Sequence, residues 1–553
     1  MTQPTFNLID EPWIPCVTST GERQLLGLES TLVRAHEMWE IYDDSPLVTV
    51  TLHRLLLAVL HHLLQGPENM AAWSKLWCEG TGRFDAEQVH AYLHDEHRHR
   101  RFDLFDPEWP FYQCSQLPFA TAEVEKDTIY AKSVAKLAAE LAAGNNDTLF
   151  DYSIDIRPMP ITAATAARLV VACQGFSMGG TVTYEQKKDK SADASPLVKG
   201  AVAIIRGDNL FQTLLLNLHA YDGKAGQPFR FKPKADLPAW ERREHTKPRD
   251  RKLNGYLDLL TWQSRRIRLK PDVDEDGTIT VATAVVMKGE QFLDGFHRHS
   301  HETMVAFTHN KAATAKQDPF PAVGFTEDRS LWRSSLALFQ NVSGQQSRPK
   351  TIGWIDDLRS EDRIPLDRVF PMDLFGLSSD QAKVLLWRHE HLPLSLRLIS
   401  SPSLLLTLQE ALARTENVRR VLWQATSEFA RVLMLQDESK QPGKEQKKDI
   451  QNVVASLGVE RRYWASLEPP FHGFLADLGA RTPPEDQELD DAALADWNTC
   501  VKTVATTVFG QAISSEGNSA RSLKAAVYAE RRFRMRLPAA LCQSKDTATV
   551  TAD

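Results

Sequence analysis

Up to about residue 400, apolar positions come in short runs broken by turn residues. Phe6–Cys16 reads as a strand with a Pro-punctuated turn, and Gly21 as a tight connection. Leu47–Leu64 and Val134–Ala143 predict helices. Val202–Ile205, Thr278–Met287 and Met304–Phe307, rich in Val, Ile and Thr or otherwise apolar, predict strands. No repeat of fixed period is present, which excludes a solenoid.

After Pro402 the pattern changes. Leu408, Leu412, Val418, Val421, Leu422, Ala425, Phe429, Val432 and Leu433 follow helical spacing, and a charged linker is predicted from Asp437 to Asp449. A second periodic stretch runs from Val459 to Leu478, followed by an acidic turn from Pro483. Trp497, Val501, Val504 and Val508 then form an apolar stripe, and Ala520 to Leu537 is amphipathic and basic, with Leu523, Val527 and Phe533 as its expected packing face. The pattern predicts an α+β protein: a large mixed α/β domain over residues 1–400 and an all-α four-helix bundle over residues 401–553.

Composition narrows this little. Hydrophobic residues make up 42% and charged residues 25% of the 553, which is ordinary for a globular protein. Six scattered cysteines contain no CxxC pair, so neither a disulfide framework nor a thiolate metal site is expected, and the cysteine usage reads as cytosolic. The first fifteen residues lack the layout of a signal peptide. The longest apolar stretch, Leu47–Leu64, is interrupted by His53, Arg54, His61 and His62, so a buried helix is expected rather than a membrane span. The expectation is a cytoplasmic protein without a membrane partner.

Candidate catalytic chemistry is sparse. His94-Asp95, with His97 and His99 nearby, resembles half of an HD-type metal site. His297, His299 and His301 would share one face if they lay on a strand. Either set would serve a metal-dependent nuclease, and a polar helix end or a solvated loop explains each set as well. No phosphate-binding loop, zincin motif or nucleophile elbow is present, so no catalytic residue, cofactor or metal is expected.

Nucleic-acid signals are stronger. Residues 230–270 carry thirteen Lys/Arg against five Asp/Glu, a net +8 in a chain of net −7, interleaved with Trp240, Tyr256 and Trp262. Cations of this kind neutralise phosphates, although a solvated charged face has the same composition. Gly175, Gly179 and Gly180 lie in the loop GFSMGG, with Lys187, Lys188 and Lys190 a few residues on. Glycines allow backbone to approach a groove closely.

The order of several motifs resembles one family along essentially the whole chain. These are FNLIDEPWIP (Phe6–Pro15), WPFYQ (Trp109–Gln113), NNDTLFDY (Asn145–Tyr152), ACQGFSMGG (Ala172–Gly180), MKGEQF (Met287–Phe292), SLWR (Ser330–Arg333) and GLSSDQAKVLLWRHEHLPL (Gly376–Leu394). They are similar to the CasA (Cse-one) family, the large subunit of the type I-E CRISPR surveillance complex Cascade. Some members carry a cysteine zinc knot, whereas this chain has no cysteine between Cys173 and Cys500.

The resemblance implies recognition rather than catalysis. The expected partners are the other Cascade subunits, the CRISPR guide RNA, double-stranded target DNA and a helicase–nuclease. By carry-over, Gly175, Gly179, Gly180 and Lys288 would read the PAM, and Gln345 or Gln346 would act as the wedge that parts the duplex. Asn146 and Phe150 would lie in a loop reaching the guide RNA and the DNA. The basic helix near residue 530 carries six cations against Glu530, and its Arg532 and Arg534 are the candidates for holding the displaced strand.

Overall fold

The helix Pro46–Leu64 forms the centre of the first of two units. Ser45 accepts the Val48 N–H at its start, and Pro46 occupies a first-turn position where no N–H is needed. Among the described residues it is the one helix long and apolar enough to cross a membrane, and 89% of its apolar window is buried inside the protein. The computed structural model describes residues 4–120, 130–141, 158–242, 247–314, 317–327, 329–380, 383–435, 443–484 and 488–542.

Polar groups on this helix are matched by partners. Arg54 and Glu302, both buried, meet in a two-pronged ion pair at 2.8 and 3.2 Å. Glu302 also accepts the Thr303 and Met304 N–H groups. Burial raises the pKa of this carboxyl, but the Arg54 guanidinium outweighs burial and holds it below the ordinary range. Burial pushes His53 down to about 4 and His61 down to about 3, so both rings are neutral inside the core.

The first unit comprises Met1–Glu327, Asn341–Ile364 and Phe370–Leu392. One antiparallel sheet orders Arg23–Leu26, Ile14–Thr18 and Met38–Ile41. A second pairs Arg265–Val273 with Ile279–Lys288, so that Arg265 lies opposite Lys288. Asp274 closes their connection by accepting the Asp276 and Thr278 N–H groups, and Gly277 supplies a φ of +81°. Arg249–Arg251 runs parallel to Glu290–Phe292. In a third sheet Val369–Asp380 lies between Val202–Ile205 and Lys383–Ser395.

The second unit comprises Asp328–Gln340, Pro365–Val369 and Pro393–Asp553. Its long helices are Pro402–Leu435, Lys444–Leu457, Val459–Ala480, Asp491–Ser515 and Ala520–Cys542. The 34-residue helix Pro402–Leu435 buries Leu404, Leu408, Ala411, Thr415, Val418, Leu422, Ala425, Phe429 and Val432. Their alternating steps of four and three make a heptad seam, along which neighbouring helices pack. Thr415 anchors this seam: Tyr463 donates to its carbonyl at 3.0 Å and the Trp497 indole to its hydroxyl at 2.9 Å.

Several local expectations change. The first strand begins at Ile14, because Asn7 accepts the Ile9 N–H and Trp13 donates to Leu8, closing turns across the preceding residues. Of Val134–Ala143, the described residues up to Leu141 hold only a short 3-10 turn over Val134–Leu137, started by Ser133. Of Met304–Phe307, only Phe307 enters a strand, Phe307–Thr308. The predicted linker is already helical from Lys444, where the Gln446 side chain reaches back to accept the Gly443 N–H. Leu523 and Val527 are 51% and 68% exposed; the last helix instead packs through Ala525, Ala529, Phe533 and Leu537, spaced by four. Small residues allow closer helix approach, and the larger apolar side chains were the misleading signal.

Arg54→Ala should cost about 3–5 kcal/mol, because it leaves Glu302 buried without its cation, while Arg54→Met with Glu302→Leu should retain most of the stability. Glu302 has a folded pKa below its unfolded one, so its contribution is present above the ordinary carboxylate range and lost as pH falls through the depressed value. Chemical denaturation between neutral and acid pH should show this loss in the wild type and not in the double variant.

Candidate nucleic-acid interface

The helix Ala163–Phe176 ends where the glycine loop begins. Gly175 faces inward: a Cβ there would meet Thr51 Cγ2 at 3.0 Å and Leu197 Cδ1 at 3.2 Å. Its missing side chain is therefore explained by packing. Gly179 crosses the chain so closely that a Cβ would lie 2.8 Å from the Ala194 nitrogen. Gly180 is exposed and has a φ of +132°, which favours glycine.

A hairpin grows from this loop. Gly180–Thr181 pairs with Ser191–Ala192, and the intervening turn over Lys187–Asp189 carries exposed Lys187 and Lys188 beside exposed Lys190. Thr183 bridges to Met287, which sets the hairpin against the end of the strand that carries Lys288. Tyr184, 41% exposed, stands next to that bridge. An aromatic beside exposed lysines suits stacking on a base, and sequence reasoning passed over it because no periodicity marks it.

Two buried arginines hold this assembly. Arg265 donates to the carbonyls of Ser264, Met178 and Asp193, all at 2.8–2.9 Å, tying the glycine loop to the return strand of the hairpin. Gln174 reinforces it through the backbone N–H and carbonyl of Arg265. Arg266 donates to the Lys288 carbonyl at 2.9 Å. Burial lowers the pKa of both guanidiniums from their usual value. Gly289, which follows, must be glycine, since a Cβ would lie 2.5 Å from the Gln263 carbonyl oxygen.

Lys288 is 19% exposed and its Nζ lies 3.6 Å from Asp250 Oδ1. Asp250 sits between Arg249 and Arg251, whose guanidiniums turn to Glu290 at 2.8 and 2.5 Å. Buried Asp258 receives Arg242 at 2.7 Å and Arg251 at 2.6 Å. The aromatic residues Trp240, Tyr256 and Trp262 are all buried. Much of the basic, aromatic segment 230–270 is thus internal scaffolding, while Arg230, Lys232, Lys234, Lys247, Lys252 and Lys270 face solvent.

Gln345 is exposed beside Gly344, whose φ is +68°, and its carbonyl accepts the His309 N–H at 2.6 Å. Gln346 is drawn into the short pairing with Phe307–Thr308. Asn146 and Phe150 lie outside the described residues. Arg532 pairs with Glu428 at 2.9 Å and lies over the Tyr528 ring, and Arg534 pairs with Glu530 at 2.5 Å. On the helix Pro402–Leu435, Trp423 is 50% exposed beside Arg419, Arg420 and Gln424.

The first histidine motif is a polar helix end, as expected, and the second is not on a strand. Asp95 accepts the Arg98 N–H as a helix cap, while His94 turns to Glu29 and Asp10. His297, His299 and His301 lie on and beside the helical turn Arg298–His301 and not on a strand, so alternation does not align them. His299 packs on Phe320 and His301 on Phe229 and Phe296.

Known proteins match this chain along its length. The sequence model described as CRISPR-associated protein Cse1 covers residues 7–508. A Thermus thermophilus protein described as CRISPR-associated protein CasA/Cse1 is 32% identical over 534 residues, 96% of each chain. The crystal structure of Cse1 from Acidimicrobium ferrooxidans has the same fold, with a TM-score of 0.80 at 22% identity over 98% of this chain and 99% of that one. A chain of a CRISPR RNA-guided surveillance complex matches with a TM-score of 0.70 at 21% identity, over 96% of this chain and 100% of that one. Matched over nearly its whole length in both sequence and fold, the chain belongs to the CRISPR-associated protein Cse1 (CasA) family.

Proposed function

We propose that this protein is the large subunit of an RNA-guided surveillance complex of the Cascade type, in which it examines the PAM on duplex DNA before guide pairing begins. Family membership and the likeness to a surveillance-complex chain support assembly with a guide RNA and further subunits. The observation that carries PAM reading is the contiguity of the Gly179–Gly180 loop, the lysine hairpin and Lys288, held by Arg265 and Arg266.

A narrow backbone edge with one lysine suits the minor groove, whose donor and acceptor pattern distinguishes chiefly A·T from G·C. Such a surface accepts a set of PAM sequences. Gly179 and Gly180 present backbone to the groove, Gly175 packs behind them, and Lys288 exchanges Asp250 for the DNA. Guide pairing then reads the remaining sequence. Gln345, at its exposed turn, is the better placed of the two glutamines to part the first base pairs; Gln346 braces the turn. Asn146 and Phe150 complete the contact with guide and DNA in this reading.

The residues 401–553, read as a four-helix bundle, would hold the displaced strand. Arg532 and Arg534 would release Glu428 and Glu530 in favour of phosphates, and Trp423 would offer a face for a base. The protein acts here by recognition and recruitment of a helicase–nuclease, without a catalytic site of its own.

Lys288→Ala should weaken binding of a PAM-containing duplex about tenfold at fixed salt, in line with ~1–3 kcal/mol for a groove contact, and leave assembly of the complex intact. Asp250→Asn, which frees Lys288, should raise affinity for duplex lacking a PAM. Electrophoretic mobility shifts with the assembled complex measure both, and parental affinity in Lys288→Ala removes Lys288 from the interface.

Gln345→Ala should slow strand opening more than it weakens initial PAM binding. A target already melted beside the PAM should restore the rate, since unstacking costs a few kcal/mol that the bubble has already met. Equal defects on duplex and bubble targets, followed by stopped-flow fluorescence, would remove the wedge role.

A further inference from the structure

We propose that Glu29, His90 and His94 form a binding site for one divalent transition-metal ion of the zinc type, which staples the N-terminal segment to the helix Ala86–Leu93. His90 lies in the last turn of this helix and His94 directly follows it, four residues on, so both rings emerge on one face. The rings stack with centroids 4.2 Å apart. His90 Nδ1 reaches one oxygen of the Glu29 carboxylate at 3.0 Å and His94 Nε2 the other at 2.9 Å. One ligand atom from each residue lies within 4.8 Å of the other two.

Further polar groups lie beside His94. Asp10 Oδ1 stands 3.8 Å from His94 Nε2, and Asp10 Oδ2 stands 3.3 Å from His99 Nε2. His94 belongs to both groupings, and its Nε2 lies nearer Glu29 than Asp10. Asn7, whose amide lies 3.3 Å from the His99 ring and donates to the His99 carbonyl, supports the outer side. The donors are imidazole and carboxylate without thiolate, a set that suits zinc, nickel or cobalt rather than magnesium. Three protein ligands with an open fourth position are a standard zinc arrangement.

The site departs from a plain ion pair in its geometry. Two imidazoles converge on a single carboxylate, where an ion would replace the ring protons aimed at it. Burial raises the Glu29 pKa, and the hydrogen bonds from His94 and His90 outweigh that and hold the carboxylate ionised. His90 is exposed and the other two are half-buried, which leaves an entry path. The elements joined are the loop carrying Asp10, the helix Leu28–Val33 carrying Glu29, and the helix Ala86–Leu93.

Metal-stripped full-length protein should be titrated with Zn2+ by calorimetry and with Co2+ by visible absorption. The result expected is one tight ion per chain, with a tetrahedral cobalt spectrum and a raised melting temperature. His94→Gln should lose at least ~100-fold in affinity, more than outer-shell changes usually cost. Glu29→Gln, an isosteric change, should weaken binding in the same direction. His391→Gln serves as a control, because Asp373, His389 and His391 form a separate cluster among the chain's 17 histidines. No uptake by the wild type, equal titration of wild type and His94→Gln, or loss only in His391→Gln would each overturn the site.

Discussion

A guanidinium taken out of water costs several kcal/mol unless its charge and its five donors find partners. Arg242, Arg251, Arg265 and Arg266 all face inward within one short stretch of this chain. The surrounding structure is arranged to meet that cost. Asp258 and Glu290 take the first two, so the parallel strands Arg249–Arg251 and Glu290–Phe292 are locked together. Arg265 has carbonyl oxygens, those of Met178 and Asp193, as its nearest acceptors. Satisfying it therefore requires the glycine loop and the hairpin's return strand to stand at one separation.

That requirement links packing to recognition. A loop built of glycine has high conformational freedom, which binding must otherwise remove. Here Arg265 on one side and the close approach of Gly179 to Ala194 on the other restrict the loop before any ligand arrives. Arg266 then fixes the carbonyl of Lys288, so the lysine and the loop share one rigid frame. The exposed charge is modest, while the buried charge determines where it is presented.

Much of the fold was legible in the chain because burial left periodic traces. The core helix was readable from Leu47–Leu64, and the strand Val202–Ile205 from a run of four apolar residues. The helix Val459–Ala480 was readable from spacing alone. The last helix misled, since Leu523 and Val527 look like a packing face and alanines perform that role instead. For the interface, the glycine loop and Lys288 stood out through motif order. The basic run 230–270 was visible as charge, but composition does not reveal direction: Arg242 and Arg251 bind carboxylates distant in sequence, and Trp240, Tyr256 and Trp262 are core. The pairing of His94 with Glu29 was equally hidden, because 65 residues separate them.

The central claim is that buried arginines hold the glycine loop in place. Hydrogen exchange measured on Arg265→Met tests it most directly. The amides of residues 178–193 should exchange markedly faster than in the wild type, while those of the core helix Pro46–Leu64 stay protected. Unchanged protection of the loop in a folded variant would contradict the claim.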